Sequence, residues 1–134
     1  MFRPPYPAAM SWQVAFHDEF VVEFRNLPSS VQDHIYTVGR LLELFGPLQG
    51  RPQVDTLNGS RHANMKEMRF SAADGEWRVA FAFDPAREAV LLVAGDKSGG
   101  SERRFYRALV RKADDRFDRH LARLADEGRT RRTQ

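Results

Sequence analysis

The chain has 134 residues, 42% of them apolar and 29% charged, which is typical of one soluble domain with a modest core. The absence of cysteine excludes disulfides and thiolate metal sites, and no apolar run approaches the length of a membrane span. The net charge of +3 hides an asymmetry, because residues 101–134 hold eleven basic and six acidic residues, or +5. Clustered arginine favours phosphate binding, although a solvated helix with a basic tail has the same composition.

The first part of the chain predicts a strand followed by a helix. Residues 1–11 are rich in Pro and Ala, so we expect a flexible N-terminal segment. This segment lacks the apolar stretch of a signal peptide, which favours a cytoplasmic location. Alternating apolar residues predict a short strand at 12–16, and apolar residues at helical spacing predict a helix at 18–27 that Pro28 ends.

A second helix is predicted to begin at Ser29 or Ser30. Its apolar residues recur every three or four positions as far as Phe45, which gives one buried stripe. The next residues, 46–64, contain Gly, Pro, Asn and Ser throughout, and we expect a loop there.

Three strands joined by short turns are predicted next. The strands are 66–70, 77–83 and 89–95. The first two alternate apolar and polar residues, and "ADG" at 73–75 is typical of the turn between them. The third strand is apolar on both faces, so it should lie at the centre of the sheet or beneath a helix.

The last element is a helix that Ser101 can cap, with a break predicted near 113–115 and a flexible basic tail at 126–134. The element order is therefore β-α-α-β-β-β-α. This order predicts an α+β fold, in which a small antiparallel sheet packs against two N-terminal helices and one C-terminal helix. We expect a single domain at 12–125.

The polar face of the three predicted strands carries the candidate catalytic residues. Strand alternation places Glu67, Arg69 and Arg78 on the face opposite to the apolar residues that would pack on the helices. The small side chains of Ala80 and Ala82 leave room beside Arg78. The alternation therefore predicts an exposed, shallow face that carries several cations and one carboxylate.

Two further residues lie close to this face in the sequence. Lys97 follows the third strand, and His62 precedes the first. The four histidines are scattered without metal-ligand spacing, so we expect no metal or cofactor. Ion pairs on the wet face of an ordinary antiparallel sheet would give the same pattern, so the residues alone leave both interpretations open.

The segments "RHANMKEMRF", "WRVAFAF", "AVLLVAGDKSG" and "FYRAL" occur in an order and spacing that resemble the RelE/HigB toxin superfamily, especially its phage-related HigB-like branch. The resemblance covers residues 12–124. It implies a RelE-like fold and a type II toxin–antitoxin system. It also implies an mRNA endoribonuclease that acts on ribosome-bound mRNA without a metal, held inactive by a cognate helix-turn-helix antitoxin.

The resemblance also implies roles for individual residues. Arg78 would bind the scissile phosphate with help from Arg69, and Lys97 would stabilise charge or act as the acid. The base would be Glu67 or His62. The residues expected to bind RNA are Arg61, Lys66, Arg103, Arg104 and Tyr106.

Two alternative functions remain open from the sequence. One is a ParE-like toxin that inhibits DNA gyrase without cutting RNA. The other is a catalytically inactive prophage remnant that still binds an antitoxin. A small helix-turn-helix gene beside this one would support the toxin–antitoxin interpretation.

Overall fold

A computed structural model describes residues 12–133, so the predicted flexible segment 1–11 lies outside the described residues. The elements in chain order are β1 (Gln13–Phe16), α1 (Asp18–Arg25), α2 (Ser29–Phe45), a 3₁₀ turn (Gly46–Leu48), β2 (Val54–Thr56), β3 (Met65–Ala72), β4 (Gly75–Phe83), β5 (Glu88–Asp96) and α3 (Glu102–Thr133). No helix within this range combines the length and the apolar character needed to cross a bilayer.

The five strands form one sheet in the order β1-β5-β4-β3-β2. The α+β class is confirmed, but the sheet is mixed, because β1 runs parallel to β5 whereas the other pairs are antiparallel. The predicted loop at 46–64 contains β2, which adds a short edge strand beside β3. The hairpin between β3 and β4 turns through Ala73 and Asp74, which both have positive φ, as a type I′ turn requires.

Helices cover both faces of the sheet. On one face, α1 and α2 bury the side chains of Met68 and Val79. On the other face, α3 packs Leu109, Ala113 and Phe117 against the sheet. The two small residues expected to border an open surface, Ala80 and Ala82, are fully buried beneath α3.

The prediction of a wholly exposed polar face is therefore wrong. The apolar stripe of α3 needs a surface to cover, and the small alanines allow the helix to approach β4 closely. The part of this face near β2, β3 and the first turns of α3 stays accessible, and two clefts open there.

The last helix is continuous, and the predicted break at 113–115 is absent because Ala113 is fully buried where α3 packs on the sheet. Helix α3 also extends through Thr133, where the sequence predicts a flexible tail from residue 126 onward. Helix α3 therefore continues past residue 125, where the sequence predicts the end of the domain.

Ion pairs join the middle of α3 to α1. Arg116 donates to both carboxylate oxygens of Glu23, at 2.6 and 2.8 Å, and to the carbonyl oxygen of Leu92, at 2.6 Å. Farther along the helix, Arg119 pairs with Glu19. These contacts fix α3 across the sheet and so fix the position of its N-terminal turns beside β3 and β4.

Candidate active site

Four polar side chains converge where the start of α3 meets β3 and β4. In the β3–β4 register Arg69 lies opposite Arg78, and Glu67 lies two residues along β3, so the three side chains share one face. Tyr106, in the second turn of α3, reaches down to this face. The convergence of Glu67, Arg69 and Arg78 predicted from strand alternation is therefore present, with Tyr106 as the fourth member.

The Tyr106 hydroxyl connects the carboxylate to the arginine. It accepts a hydrogen bond from Arg78 Nε at 3.0 Å and donates one to Glu67 Oε1 at 3.0 Å. Glu67 Oε1 also lies 3.4 Å from Arg78 Nε and 3.7 Å from Arg69 Nε. The side chains of Glu67 and Arg78 are only 7% and 6% exposed, so this network is held rigidly in a poorly solvated position.

Arg78 and Glu67 each keep one atom with free hydrogen-bonding capacity. Arg78 Nη1 donates to the Trp77 carbonyl oxygen at 2.9 Å, whereas Arg78 Nη2 has no hydrogen-bond partner within residues 12–133. Glu67 uses Oε1 for its hydrogen bond from Tyr106, and its Oε2 has no such partner in the same part of the chain. A donor with positive charge and a carboxylate acceptor are thus both available to a ligand.

Two clefts of about 370 Å³ each open beside the network. The first, here called the Tyr106 cleft, is lined by Asp55, Asn58, Glu67, Arg69 and Tyr106. The second, here called the Arg78 cleft, is lined by Arg51, Arg69, Ser71, Glu76 and Arg78. Arg69 borders both clefts, so a ligand that crosses from one to the other would pass its guanidinium.

The environment changes the acidity of two members of the network. Burial raises the pKa of Glu67 above its ordinary value of 4.5, although Tyr106, Arg78 and Arg69 all act in the opposite direction. Burial likewise raises the pKa of Tyr106, so its hydroxyl stays protonated at neutral pH. A carboxylate with a raised pKa beside two guanidinium groups is typical of a general base next to an anion site.

Comparisons with known proteins agree with this architecture. Residues 22–118 match the family described as phage derived protein Gp49-like (DUF891). The chain belongs to the Gp49-like family. Two Mycobacterium tuberculosis relatives of this Gp49-like chain are named "Putative toxin HigB2", 45% identical over 69% of the chain, and "Putative toxin HigB3", 49% identical over 61%.

The alignments differ in how much of each relative they span. The Gp49-like chain covers 46% of the HigB2 protein and 69% of the HigB3 protein. Among solved structures, a mutant of the E. coli toxin RelE in the free state has a TM-score of 0.53 at 12% identity, covering 77% of this chain and 97% of RelE. At this identity the likeness to RelE shows the fold alone. The Gp49-like match and the HigB3 relative show the family, so the predicted resemblance is confirmed.

His62 and Arg61 lie away from the network in the Gp49-like structure. His62 Nε2 lies 2.7 Å from Asp118 Oδ1, and the Arg61 side chain pairs with the same aspartate. Asp118 follows Tyr106 by twelve residues on one helix, which places it about 18 Å farther along the α3 axis. The two residues therefore anchor their loop to α3, and the structure does not bring His62 beside Glu67.

The other predicted site residues are divided between the two faces. Lys66 alternates with Glu67 and so lies on the α1 and α2 face, opposite to the network. Lys97 lies two residues beyond Gly95, the register partner of Arg78, and its Nζ pairs with Glu102 at 3.0 Å. Lys97 therefore stays near the Arg78 cleft, whereas Lys66 does not line either cleft.

The remaining two predicted residues, Arg103 and Arg104, lie in the first turn of α3. Both side chains are exposed, three and two residues before Tyr106. Neither is among the residues that line the Tyr106 cleft.

Several residues that line the clefts were not predicted from the sequence, among them Arg51 and Asp55. Arg51 donates to Asp55 Oδ2 at 2.8 and 3.1 Å, and Arg69 Nη1 lies 3.5 Å from the same oxygen. Asp55 belongs to β2 and lies opposite Glu67. Both residues fall within the predicted loop at 46–64, where a strand of three residues gives too little alternation to detect.

A second group of titratable residues lies at the turn between β4 and β5. The possible ligand atoms of Asp84, Glu88 and His120 lie within 4.8 Å of one another. Asp84 Oδ1 accepts from the backbone of Ala86 and Glu88 at 2.9 Å, and its Oδ2 lies 2.7 Å from His120 Nε2. These bonds close the turn and attach it to α3, which accounts for the group as a structural one.

Proposed function

We propose that this Gp49-like chain is the toxin of a type II toxin–antitoxin system and that it cuts mRNA. The observation that carries the proposal is that one network between two clefts holds two atoms available to a substrate. These atoms are Arg78 Nη2 and Glu67 Oε2. A cation and a base at one position are what cleavage of a phosphodiester by its own 2′-hydroxyl requires. The names of the HigB2 and HigB3 relatives support the toxin assignment.

The proposed reaction proceeds by attack of the 2′-oxygen on the adjacent phosphorus. Glu67 Oε2 takes the 2′-hydroxyl proton, and Arg78 and Arg69 stabilise the charge that develops on the phosphorane oxygens. The bond from phosphorus to the 5′-oxygen then breaks, and an acid protonates that oxygen. Tyr106 and Lys97 are the two acids near the clefts. The products are a 2′,3′-cyclic phosphate and a 5′-hydroxyl, and the reaction uses no metal.

Tyr106 acts in this scheme as a positioning residue as well. Its hydroxyl holds Oε1 of Glu67 and Nε of Arg78, so the other oxygen of the carboxylate and the terminal nitrogen of the guanidinium are directed to the substrate. Orientation of this kind supplies much of the rate enhancement that an enzyme provides. We propose ribosome-bound mRNA as the substrate and a helix-turn-helix antitoxin as the inhibitor.

Cleavage assays with defined mRNA test the reaction class. In a translation reaction, the purified protein is expected to cut mRNA and leave a 5′-hydroxyl and a 2′,3′-cyclic phosphate. A matched mRNA with a single 2′-deoxynucleotide at the mapped position should remain intact there, because the nucleophile is missing. Cleavage of the deoxy substrate, or products that end in a 3′-hydroxyl, would contradict the proposal.

The pH dependence of cleavage should identify the base. Since burial raises the pKa of Glu67 above 4.5, the ionised form needed for proton abstraction is lost as pH falls through this raised value. We expect the single-turnover cleavage rate to rise with pH and to level off above that pKa. The measurement is the rate profile of the wild type from pH 4 to neutrality, with unfolding followed in parallel by circular dichroism.

The contribution of Glu67 to the stability of the fold should change with pH in the opposite direction to the cleavage rate. A raised carboxyl pKa means that the folded state holds the proton more tightly than the unfolded state, so this contribution to stability is present below pH 4.5 and lost as pH rises through the raised value. A decline of the cleavage rate at low pH that follows unfolding, instead of preceding it, would argue against Glu67 as the base.

The burial of Arg78 supports a second candidate function, a toxin that does not cut RNA. The residue is 5% exposed, and two of its three guanidinium nitrogens are already hydrogen-bonded within the protein. In this case Arg78 would hold the sheet to α3, and the protein would act on DNA gyrase or only bind an antitoxin. Full toxicity of a folded Arg78→Ala variant, without mRNA cleavage, would select this function.

A further inference from the structure

Two groups of arginines on α3 differ in their partners. In the middle of the helix, Arg116, Arg119 and Arg123 all pair with acidic residues of α1. Nearer the start of the helix, four arginines are exposed and make no hydrogen bond or ion pair through their side chains within residues 12–133. These four, here called the arginine stripe, are Arg103, Arg104, Arg107 and Arg111.

The arginine stripe lies on one side of the helix. With 3.6 residues per turn, its four members fall within an arc of about 100° around the α3 axis. Positions 103, 107 and 111 are spaced by four residues, so consecutive side chains begin about 6 Å apart and the row is about 12 Å long. Four unpaired like charges in so short a row repel one another, and an anionic ligand would remove this cost.

The arginine stripe and the Tyr106 cleft lie on the same flank of α3. Continued at intervals of three or four residues, the row reaches Asp114 and Asp118, which bind the loop at 60–62. Asn58, just before that loop, lines the Tyr106 cleft together with Tyr106 itself. The stripe, the loop and the cleft are therefore on the same flank of α3.

We propose that the arginine stripe binds the phosphodiester backbone of the RNA strand whose scissile phosphate occupies the clefts. The inference rests on the proposed ribonuclease function and extends it with a second, noncatalytic contact. Guanidinium groups match phosphate geometry, and a row on one helix face fits successive phosphates of an extended single strand. The contact reads no base, so the stripe adds affinity for RNA without adding sequence preference.

The experiment compares two triple variants that remove the same charge. The test variant is Arg103→Gln/Arg107→Gln/Arg111→Gln. The control is Arg25→Gln/Arg40→Gln/Arg129→Gln, whose three sites are exposed and lie outside the stripe and both clefts. The probes are a short and a long RNA oligonucleotide with 2′-O-methyl groups, which resist cleavage, and binding is measured over a range of salt concentrations.

The test variant should lose the gain in affinity that the long oligonucleotide shows over the short one. The slope of log affinity against log salt should fall by about 2, since three phosphate contacts on a single strand contribute about 0.7 each. The control should keep the wild-type slope and should cut a short unmodified RNA at the wild-type rate. An unchanged slope in the test variant would overturn the inference.

Other outcomes would assign the arginine stripe to a different partner or would test the proposed function alone. Wild-type oligonucleotide binding with lost affinity for ribosomes would assign the stripe to ribosomal RNA, and lost affinity for the antitoxin alone would assign it to that protein. Either result overturns the inference. If no RNA is cut but the slope still falls, the proposed cleavage is contradicted, whereas RNA binding by the arginine stripe is supported. If RNA is cut and the slope is unchanged, only RNA binding by the arginine stripe is contradicted.

Discussion

The Glu67→Gln variant is expected to cut RNA about 10² to 10⁴ times more slowly than the wild type, the usual loss when a general base is removed. Glutamine has the same shape and can still accept the hydrogen bond that Tyr106 donates at 3.0 Å, so the cleft keeps its outline. It cannot take the 2′-hydroxyl proton. The measurement is the single-turnover rate on one RNA substrate, with binding of an uncleavable RNA measured beside it.

The control for this variant removes an equal charge at a site outside the network. Glu43 lies on α2, is 40% exposed and pairs with Arg40, so Glu43→Gln should leave the cleavage rate unchanged. RNA binding by Glu67→Gln should be preserved, because the substitution removes a negative charge beside two phosphate-binding arginines. A folded Glu67→Gln protein that cuts at the wild-type rate would exclude Glu67 as the base and leave the proton transfer without an assigned residue.

Strand alternation was enough to predict the centre of this site. In a hairpin the side-chain period is two residues and the tight turn sets the register, so Glu67, Arg69 and Arg78 had to share a face once β3 and β4 were recognised. Information of this kind is local to about twenty residues. By the same local rule Lys66 lies on the opposite face, although it was expected to bind RNA.

Long-range packing was beyond the reach of the same reasoning. The apolar stripe of α3 is visible in the sequence, but the pattern does not say which face of the sheet the helix covers. As a result Ala80 and Ala82 were expected to leave open space beside Arg78, although α3 packs on them. Tyr106 could be placed on a helix, but its hydrogen bonds to Arg78 and Glu67 depend on how α3 crosses the sheet.

Proximity in the sequence also misled the assignment of His62. Only four residues separate it from Glu67, yet the chain enters β3 between them, and His62 turns toward Asp118 of α3. Asp55 illustrates the reverse case, because it is twelve residues from Glu67 in the sequence and lies directly opposite it on the neighbouring strand. Loops therefore decide which charges reach the network, and composition gives little information about loop paths.

The Phe117→Ala variant is expected to lower the free energy of unfolding by about 3–5 kcal/mol, the range observed when a buried phenylalanine is truncated. Phe117 is 2% exposed and lies in the cluster that joins α3 to the sheet. Its ring also meets the His62 ring edge-on, with centroids 4.9 Å apart. The measurement is urea unfolding followed by circular dichroism. The free energies of unfolding of wild type and variant are compared with one common slope of free energy against urea concentration.

The matched control is Phe45→Ala, which truncates the same residue type on α2 where the side chain is 52% exposed. This change should alter the free energy of unfolding by less than about 0.5 kcal/mol. If Phe117→Ala costs no more than the control, packing is not what holds α3 on the sheet. Attachment would then depend on the ion pairs of Arg116 and Arg119 with α1, and stability should fall steeply as salt is added. Because α3 carries Tyr106, the same salt dependence should then appear in the cleavage rate.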